Sequence, residues 1–134
     1  MDVLLGIDMG TGSTKGVLVD ATGIVLATET IAHSMSLPRP GWAVVDAEDL
    51  WWHEVCSISS TLMSRMPANA SLAAMCVSGV GPCLVLCDDD LRPLRPAILY
   101  GIDTRAAAEI DSLTAEFGAE NIKDQAGTVL SSQA

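Results

Sequence analysis

The sequence predicts an α/β domain built on a mixed β-sheet, and three features of the chain predict it. Strand-length apolar segments near the start are joined by tight polar turns, which is typical of antiparallel hairpins. An amphipathic helix and further strands follow, so the sheet is not expected to be purely alternating and parallel. Apolar residues make up 49% of the 134 residues and charged residues 18%, which excludes intrinsic disorder and supports one ordinary domain with a core.

The first third of the chain predicts a three-stranded antiparallel meander. Residues 3–7 form a short apolar run typical of a fully buried strand, and the glycine- and hydroxyl-rich residues 10–14 break it. Residues 15–20 predict a second strand. The turn at 21–23 then leads into a third strand over residues 24–32.

A helix is predicted after the Pro- and Gly-rich loop at residues 37–41. Asp46 is a suitable N-cap, and Pro67 ends the helix. Four apolar residues recur at i, i+4, i+7 and i+11 and predict one buried stripe: Trp51, Val55, Ile58 and Leu62.

The second half of the chain predicts two more strands, over residues 71–78 and 83–87, and a second helix. This helix begins at a Thr104 cap and ends at Gly118. Residues 121–134 contain no predicted element, which indicates a truncated domain.

Charge and cysteine content narrow the class of protein. Seven basic against 17 acidic residues give a net charge of −10, which argues against nucleic-acid or anionic-membrane partners. No apolar run reaches about 18 residues, and the N-terminus lacks a basic region, so we expect a cytoplasmic protein with no membrane span. The four cysteines lie in apolar segments and are expected to be reduced and buried: Cys56, Cys76, Cys83 and Cys87.

Residues 6–16 form the motif that points most directly to chemistry. A carboxylate, Asp8, ends the first strand, a glycine- and hydroxyl-rich turn follows, and Lys15 begins the returning strand. Such a turn can present N–H and hydroxyl donors to a phosphate, and Asp8 can hold Mg²⁺ directly or through water. The spacing excludes a P-loop and a dinucleotide-binding motif. A hairpin turn whose aspartate is satisfied locally is the structural alternative.

Four segments in order resemble known families. Residues 8–15 resemble the first phosphate motif of the actin-like ATPase superfamily. Residues 40–52, 77–81 and 95–105 resemble the FGGY carbohydrate kinases, which include the xylulokinases, gluconokinases and glycerol kinases. The resemblance covers nearly the whole chain and is xylulokinase-like.

The resemblance implies that residues 1–134 are a truncated N-terminal domain with the ribonuclease-H-like fold of actin-like ATPases, a mixed sheet of antiparallel hairpins with flanking helices. It implies transfer of the γ-phosphoryl group of ATP to a hydroxyl of a sugar or polyol, with magnesium. It places Asp8 at Mg²⁺. The ATP phosphates are assigned to Thr11, Gly12, Ser13 and Lys15. The substrate side comprises residues 79–83 and 100–105, with Gly81, Pro82, Asp103 and Arg105.

The resemblance also implies that the catalytic aspartate lies beyond residue 134 and that the adenine pocket belongs to a missing C-terminal domain. The isolated chain is therefore predicted to be inactive, and neither His33 nor His53 is expected to replace the base; both are expected to have a surface or packing role. Whether a full-length protein forms a homodimer is left open.

Two departures leave the sugar unassigned. Xylulokinases usually carry Gln-Met-His-Gly where this chain has Val-Gly-Pro-Cys at residues 80–83, and the spacing from Tyr100 to Asp103 is one residue longer than usual. Two alternatives stay open: another actin-like ATPase, such as a small-acid kinase or a CoA-dehydratase activator, and a non-catalytic module in which Asp8 is only structural.

Overall fold

The computed structural model describes residues 1–132, and the chain divides into two compact units. The first unit contains Met1–Met35 and Asp46–Val80. The second contains Ser36–Val45 and the chain from Gly81 onward.

Six strands and three α-helices follow one another along the described residues. In chain order they are β1 (Asp2–Met9), β2 (Ser13–Asp20), β3 (Val25–Ala32), β4 (Val44–Val45), α1 (His53–Ser64), β5 (Ser71–Gly79), β6 (Ala97–Ile98), α2 (Ala107–Phe117) and α3 (Ala119–Ala126). A wider helical stretch, Ala47–Trp52, runs directly into α1.

The first unit contains a four-stranded sheet in the order β3-β2-β1-β5. The β1–β2 and β2–β3 pairs are antiparallel, whereas β5 lies parallel to β1. The predicted meander and the predicted mixed sheet are therefore confirmed.

Helix α1 covers one face of this sheet. The core cluster consists of Val3, Leu5, Ile7, Leu18, Ile58 and Leu62. The stripe predicted for α1 is confirmed in its second half, where Ile58 and Leu62 are fully buried, whereas Trp51 and Val55 are only half-buried. The prediction that the first strand is buried throughout is wrong. Successive side chains of a strand point to opposite faces, so Leu4 is 39% exposed on the face that α1 does not cover.

Gly16 allows α1 to pack closely on β2. A Cβ atom at this position would lie 2.3 Å from Cγ2 of Ile58 and 2.7 Å from Cδ1 of Leu62. Contacts that short do not occur between carbon atoms, whose optimal separation is about 3.5–4.0 Å. Helix α1 can therefore pack this closely on the sheet only because Gly16 has no side chain.

The second unit has a small antiparallel ladder in which β4 pairs with β6. The strand predicted over residues 83–87 is not formed, because this segment makes only isolated bridges, from Leu84 to Ile98 and from Cys87 to Pro93. The Asp88 carboxylate accepts hydrogen bonds from the backbone N–H groups of Asp90 and Arg92. This turn folds the segment back on itself before a longer strand can develop.

The two C-terminal helices differ from the prediction at two points. Helix α2 begins at Ala107 because the Thr104 hydroxyl donates to the carbonyl of Gly41 instead of capping the helix, at 3.4 Å. Its predicted end at Gly118 is confirmed. Helix α3 lies where no element was expected. It is short and mostly polar, and Ile122 is its single large apolar residue, so it offers too little apolar periodicity to predict a helix. Gln125 donates an i,i+4 hydrogen bond to Asn121 within it.

Burial of the cysteines was also predicted wrongly. The side chains of Cys56, Cys76 and Cys87 are exposed and Cys83 is half-buried. Cys76 belongs to β5, in which every residue is exposed. Across residues 1–132, no helix has the length and apolar character needed to cross a membrane.

Replacing Gly16 by alanine is predicted to lower the free energy of unfolding by about 1–3 kcal/mol, because the new methyl group overpacks the interface with α1. Urea denaturation of the variant and the wild type measures the change. Gly12→Ala is the matched control, since a Cβ atom at Gly12 meets nothing within 4 Å. Equal destabilisation by the two substitutions would contradict the packing argument.

Candidate functional site

The predicted phosphate motif forms the turn between β1 and β2. The N–H of Gly10 donates to the carbonyl of Ser13 at 2.9 Å and closes the turn. A Cβ atom on Gly10 would lie 3.1 Å from that carbonyl oxygen, whereas Gly12 faces open space. Thr11 and Gly12 are exposed and Ser13 is half-buried, so the tip of the turn is accessible to a ligand.

Asp8 and Lys15 lie side by side at the base of this turn. They are paired residues of the β1–β2 ladder, and the same row of the sheet continues through Ser78 of β5 and Thr30 of β3. Directly paired residues project to the same face, which in this sheet is the face opposite α1. A groove of about 460 Å³ is lined by these four residues among others. The structure thus brings Asp8 and Lys15 together beside the turn.

The donor set at Asp8 fits a magnesium ion that is shared with phosphate. Within residues 1–132 no group of three or more His, Cys, Asp or Glu side chains could hold a metal. Mg²⁺ in phosphate-binding sites is usually held by one or two carboxylates, waters and phosphate oxygens. A single exposed carboxylate next to the turn is in keeping with that kind of site.

Three buried side chains form a hydrogen-bonded network beneath the turn. The Thr14 hydroxyl donates to Oε2 of Glu54 at 2.5 Å, and Nδ1 of His33 lies 2.9 Å from the same oxygen. Nε2 of His33 lies 3.0 Å from the carbonyl oxygen of Gly10. The side chains of His33 and Glu54 are only 4% and 7% exposed. The network therefore joins β2, α1, the residue after β3 and the turn itself.

Sequence reasoning missed this network. His33 was expected to have a surface or packing role, and Glu54 was not considered. A signal was present, because Glu54 precedes Ile58 by four residues and so lies on the buried face of α1. A carboxylate on a buried helix face requires hydrogen-bond partners from elsewhere in the fold.

In the second unit, Asp103 and Arg105 form a closed ion pair. Arg105 donates to Asp103 through Nε at 2.8 Å and Nη2 at 2.6 Å, and its backbone N–H donates at 3.0 Å. The N–H of Ala43 donates at 2.7 Å to Oδ2, the oxygen that also accepts from Nη2 of Arg105. Chiefly because of the side-chain hydrogen bonds from Arg105, the pKa of Asp103 is lowered from 3.8 to about 2.

The loop that contains Trp42 is held against the same ion pair. The guanidinium carbon of Arg105 lies 3.8 Å from the centre of the Trp42 ring, and that of Arg39 lies 4.9 Å from it. Gly41 has a φ of +77°, and its carbonyl accepts from the N–H of Thr104 at 2.7 Å. The two motif segments, around Trp42 and around Asp103, are therefore held together by cation–π contacts and backbone hydrogen bonds.

The other residues predicted for the substrate side also belong to the second unit. Gly81 and Pro82 are exposed and belong to the loop that follows Val80. The structure thus joins Asp103 to Arg105 by direct contact, and it places Gly81 and Pro82 where their backbone is accessible.

The Asp103→Asn variant is predicted to lose stability at neutral pH. The pKa of Asp103 is lower in the folded chain than its ordinary 3.8, so its stabilising effect is present above pH about 4 and is lost as the pH falls to about 2. We expect a difference of roughly 2 kcal/mol between wild type and variant at pH 7, from about 1.4 kcal/mol per pKa unit.

Denaturation curves of both proteins between pH 7 and pH 2.5 measure this difference. We expect it to shrink steadily below pH 4. A difference that does not depend on pH would show that the effect of the substitution is not electrostatic. The exposed Asp111→Asn serves as the control that leaves stability unchanged.

Comparison with known proteins agrees with this architecture. The profile of the FGGY family of carbohydrate kinases, N-terminal domain, matches residues 3–134. Xylulose kinase of Staphylococcus xylosus is 27% identical over 91% of this chain and 25% of its own length. Glycerol kinase of Beutenbergia cavernae is 30% identical over 96% of this chain and 26% of its own length.

The crystal structure of xylulose kinase from Rhodospirillum rubrum has a TM-score of 0.82 and 32% identity, covering 90% of this chain and 25% of that one. The predicted actin-like ATPase fold is thereby confirmed, and the chain spans about a quarter of the length of the relatives it matches. The chain belongs to the FGGY family of carbohydrate kinases and corresponds to part of their N-terminal domain.

Proposed function

We propose that this chain supplies the phosphate-binding turn and part of the sugar site of an ATP-dependent carbohydrate kinase, which transfers the γ-phosphoryl group of ATP to a sugar or polyol hydroxyl. One observation carries the proposal. Asp8, Thr11, Gly12 and Lys15 are all exposed on or beside a single turn, and buried hydrogen bonds hold that turn from beneath.

Each exposed group has a role that suits phosphoryl transfer, which depends mainly on positioning and on neutralising charge. The ammonium group of Lys15 neutralises phosphate charge. The Thr11 hydroxyl, the Ser13 hydroxyl and the N–H of Gly12 donate hydrogen bonds to phosphate oxygens. The Asp8 carboxylate holds magnesium, which when bound supplies further positive charge beside the phosphates.

On the substrate side, we assign the sugar contacts to Arg105 and to the backbone of Gly81 and Pro82. The oxygens of Asp103 already accept hydrogen bonds from Ala43 and Arg105. In this proposal Asp103 therefore orients the guanidinium group of Arg105, and its own contribution to substrate binding is through that group.

The substrate class is a sugar or polyol. A xylulose kinase and a glycerol kinase match the chain at 27% and 30% identity, so similarity favours neither substrate. Because residues 80–83 are Val-Gly-Pro-Cys, the contacts available from this loop are largely those of the backbone.

The phosphate site is tested by measuring the affinity of the chain for Mg²⁺–ATP with calorimetry. Lys15→Ala and Asp8→Ala are each expected to weaken binding about tenfold, equivalent to about 1.4 kcal/mol, because each removes a charged contact. Both side chains are exposed, so circular dichroism and thermal unfolding should remain those of the wild type.

The chain provides a matched control, since its only other lysine is Lys123, which is exposed on α3. Lys123→Ala should leave the affinity unchanged. If Asp8→Ala left the affinity for Mg²⁺–ATP unchanged, Asp8 would have no part in phosphate binding and the non-catalytic module would be favoured.

We further expect the 134-residue chain alone not to form ADP in a sugar-dependent manner, because none of the assigned site residues acts as the general base for the sugar hydroxyl. A coupled assay with xylulose, gluconate and glycerol, run at millimolar Mg²⁺–ATP, measures this. Sugar-dependent turnover by the isolated chain would contradict the assignment of the base to a part of the enzyme beyond these residues.

A further inference from the structure

We propose that His33 and Glu54 are positioning residues that fix the β1–β2 turn in its phosphate-binding conformation. This inference rests on the proposed function of the turn. It concerns the buried side of the turn, and it assigns a role to two residues that the predicted motif does not include.

His33 holds two carbonyl groups of the turn. Its backbone N–H donates to the carbonyl of Gly12 at 3.0 Å, and Nε2 lies 3.0 Å from the carbonyl oxygen of Gly10. A peptide unit is planar and trans, so its N–H points away from its C=O. Holding the Gly10 and Gly12 carbonyls towards His33 therefore directs the N–H groups of Thr11 and Ser13 to the opposite side of the turn.

The orientation of the imidazole ring depends on Glu54. The carbonyl of Gly10 can only accept, so Nε2 of His33 must carry a hydrogen atom. With that hydrogen on Nε2, Nδ1 and Oε2 of Glu54 would face each other as two acceptors, 2.9 Å apart. One further proton must therefore lie between them to make this contact a hydrogen bond. Oε2 also accepts from Thr14, which is fully buried and anchors the carboxylate to the start of β2.

Every member of the network is buried, which makes each bond costly to lose. Removing the imidazole takes the His33 side chain away from the Gly10 carbonyl and leaves Oε2 of Glu54 with Thr14 as its one remaining partner, in a region of low dielectric constant. The turn can recover those hydrogen bonds only by rotating its peptide units towards water. That rotation would turn the N–H groups of Thr11 and Ser13 away from the ligand side of the turn. It would also move the peptide unit between them, whose Gly12 N–H the proposed function assigns to phosphate.

The test is a titration of the ¹⁵N-labelled 134-residue chain with magnesium tripolyphosphate. Binding is monitored through the chemical shifts of the amide resonances of residues 10–13. The wild type should show saturable shifts there. His33→Ala is expected to bind about tenfold more weakly while remaining folded at the temperature of the titration. The only other histidine, His53, is exposed at the start of α1, and His53→Ala should bind as the wild type does.

A second pair of variants separates positioning from general stability. A glutamine at position 54 can donate through its amide to Nδ1 of His33 and still bond the Thr14 hydroxyl, so Glu54→Gln should retain the affinity. Glu54→Ala cannot make either bond and should lose about as much affinity as His33→Ala. This pair also keeps the test decisive if His33→Ala does not fold.

The two possible failures are distinguishable. If the alanine variants had lower melting temperatures but unchanged affinity for tripolyphosphate, His33 and Glu54 would be structural only and the positioning role would be overturned. If the wild-type chain showed no shifts at residues 10–13, the proposed phosphate function would fail, and the positioning role with it.

Discussion

The close approach of α1 to β2 at Gly16 is the constraint on which the first unit depends. Residues four apart on a helix are separated by about 6 Å along its axis, and alternate residues of a strand by about 6.7 Å. The four-residue spacing of the helix therefore nearly matches the two-residue spacing of the strand. As a result, Glu54 reaches Thr14 while Ile58 lies over Gly16. Because Gly16 has no side chain, the helix lies close enough for the carboxylate of Glu54 to accept from Thr14 beneath the β1–β2 turn.

Each unit uses a buried carboxylate to shape a loop. Glu54 and Asp103 are both nearly inaccessible, and each accepts hydrogen bonds from groups distant in sequence. A buried charge without such partners would cost several kcal/mol, so the loop that supplies the donors is held in one conformation. In the first unit the partners of Glu54 are Thr14, at the start of β2, and His33, which also contacts the β1–β2 turn at Gly10. In the second unit the loop is the segment around Trp42, whose ring is also in contact with Arg105.

Local patterns in the sequence predicted the elements and contacts that form between residues close together in the chain. The hairpin turns predicted the first three strands, and because β1 and β2 are adjacent in sequence, the motif alone was enough to place Asp8 near Lys15. The strand predicted over 83–87 and the helix cap predicted at Thr104 are not formed, because the groups concerned make hydrogen bonds to other partners. Thr104 bonds a loop 63 residues away, and Thr14 bonds a glutamate 40 residues away. Periodicity within one element carries no information on such pairs.

The net charge of −10 explains why geometry matters so much at this turn. A polyphosphate approaching an acidic chain is repelled at long range, although salt screens charges separated by more than about 8–10 Å. Arg65 is paired with Glu29, and Arg105 with Asp103, whereas within residues 1–132 Lys15 has no ion pair. In the proposed function, attraction to phosphate at this turn therefore comes from Lys15 and from the hydroxyl and backbone donors in direct contact. Backbone donors act only when their peptide units point at the ligand, and this is the orientation that we propose the buried His33 to impose.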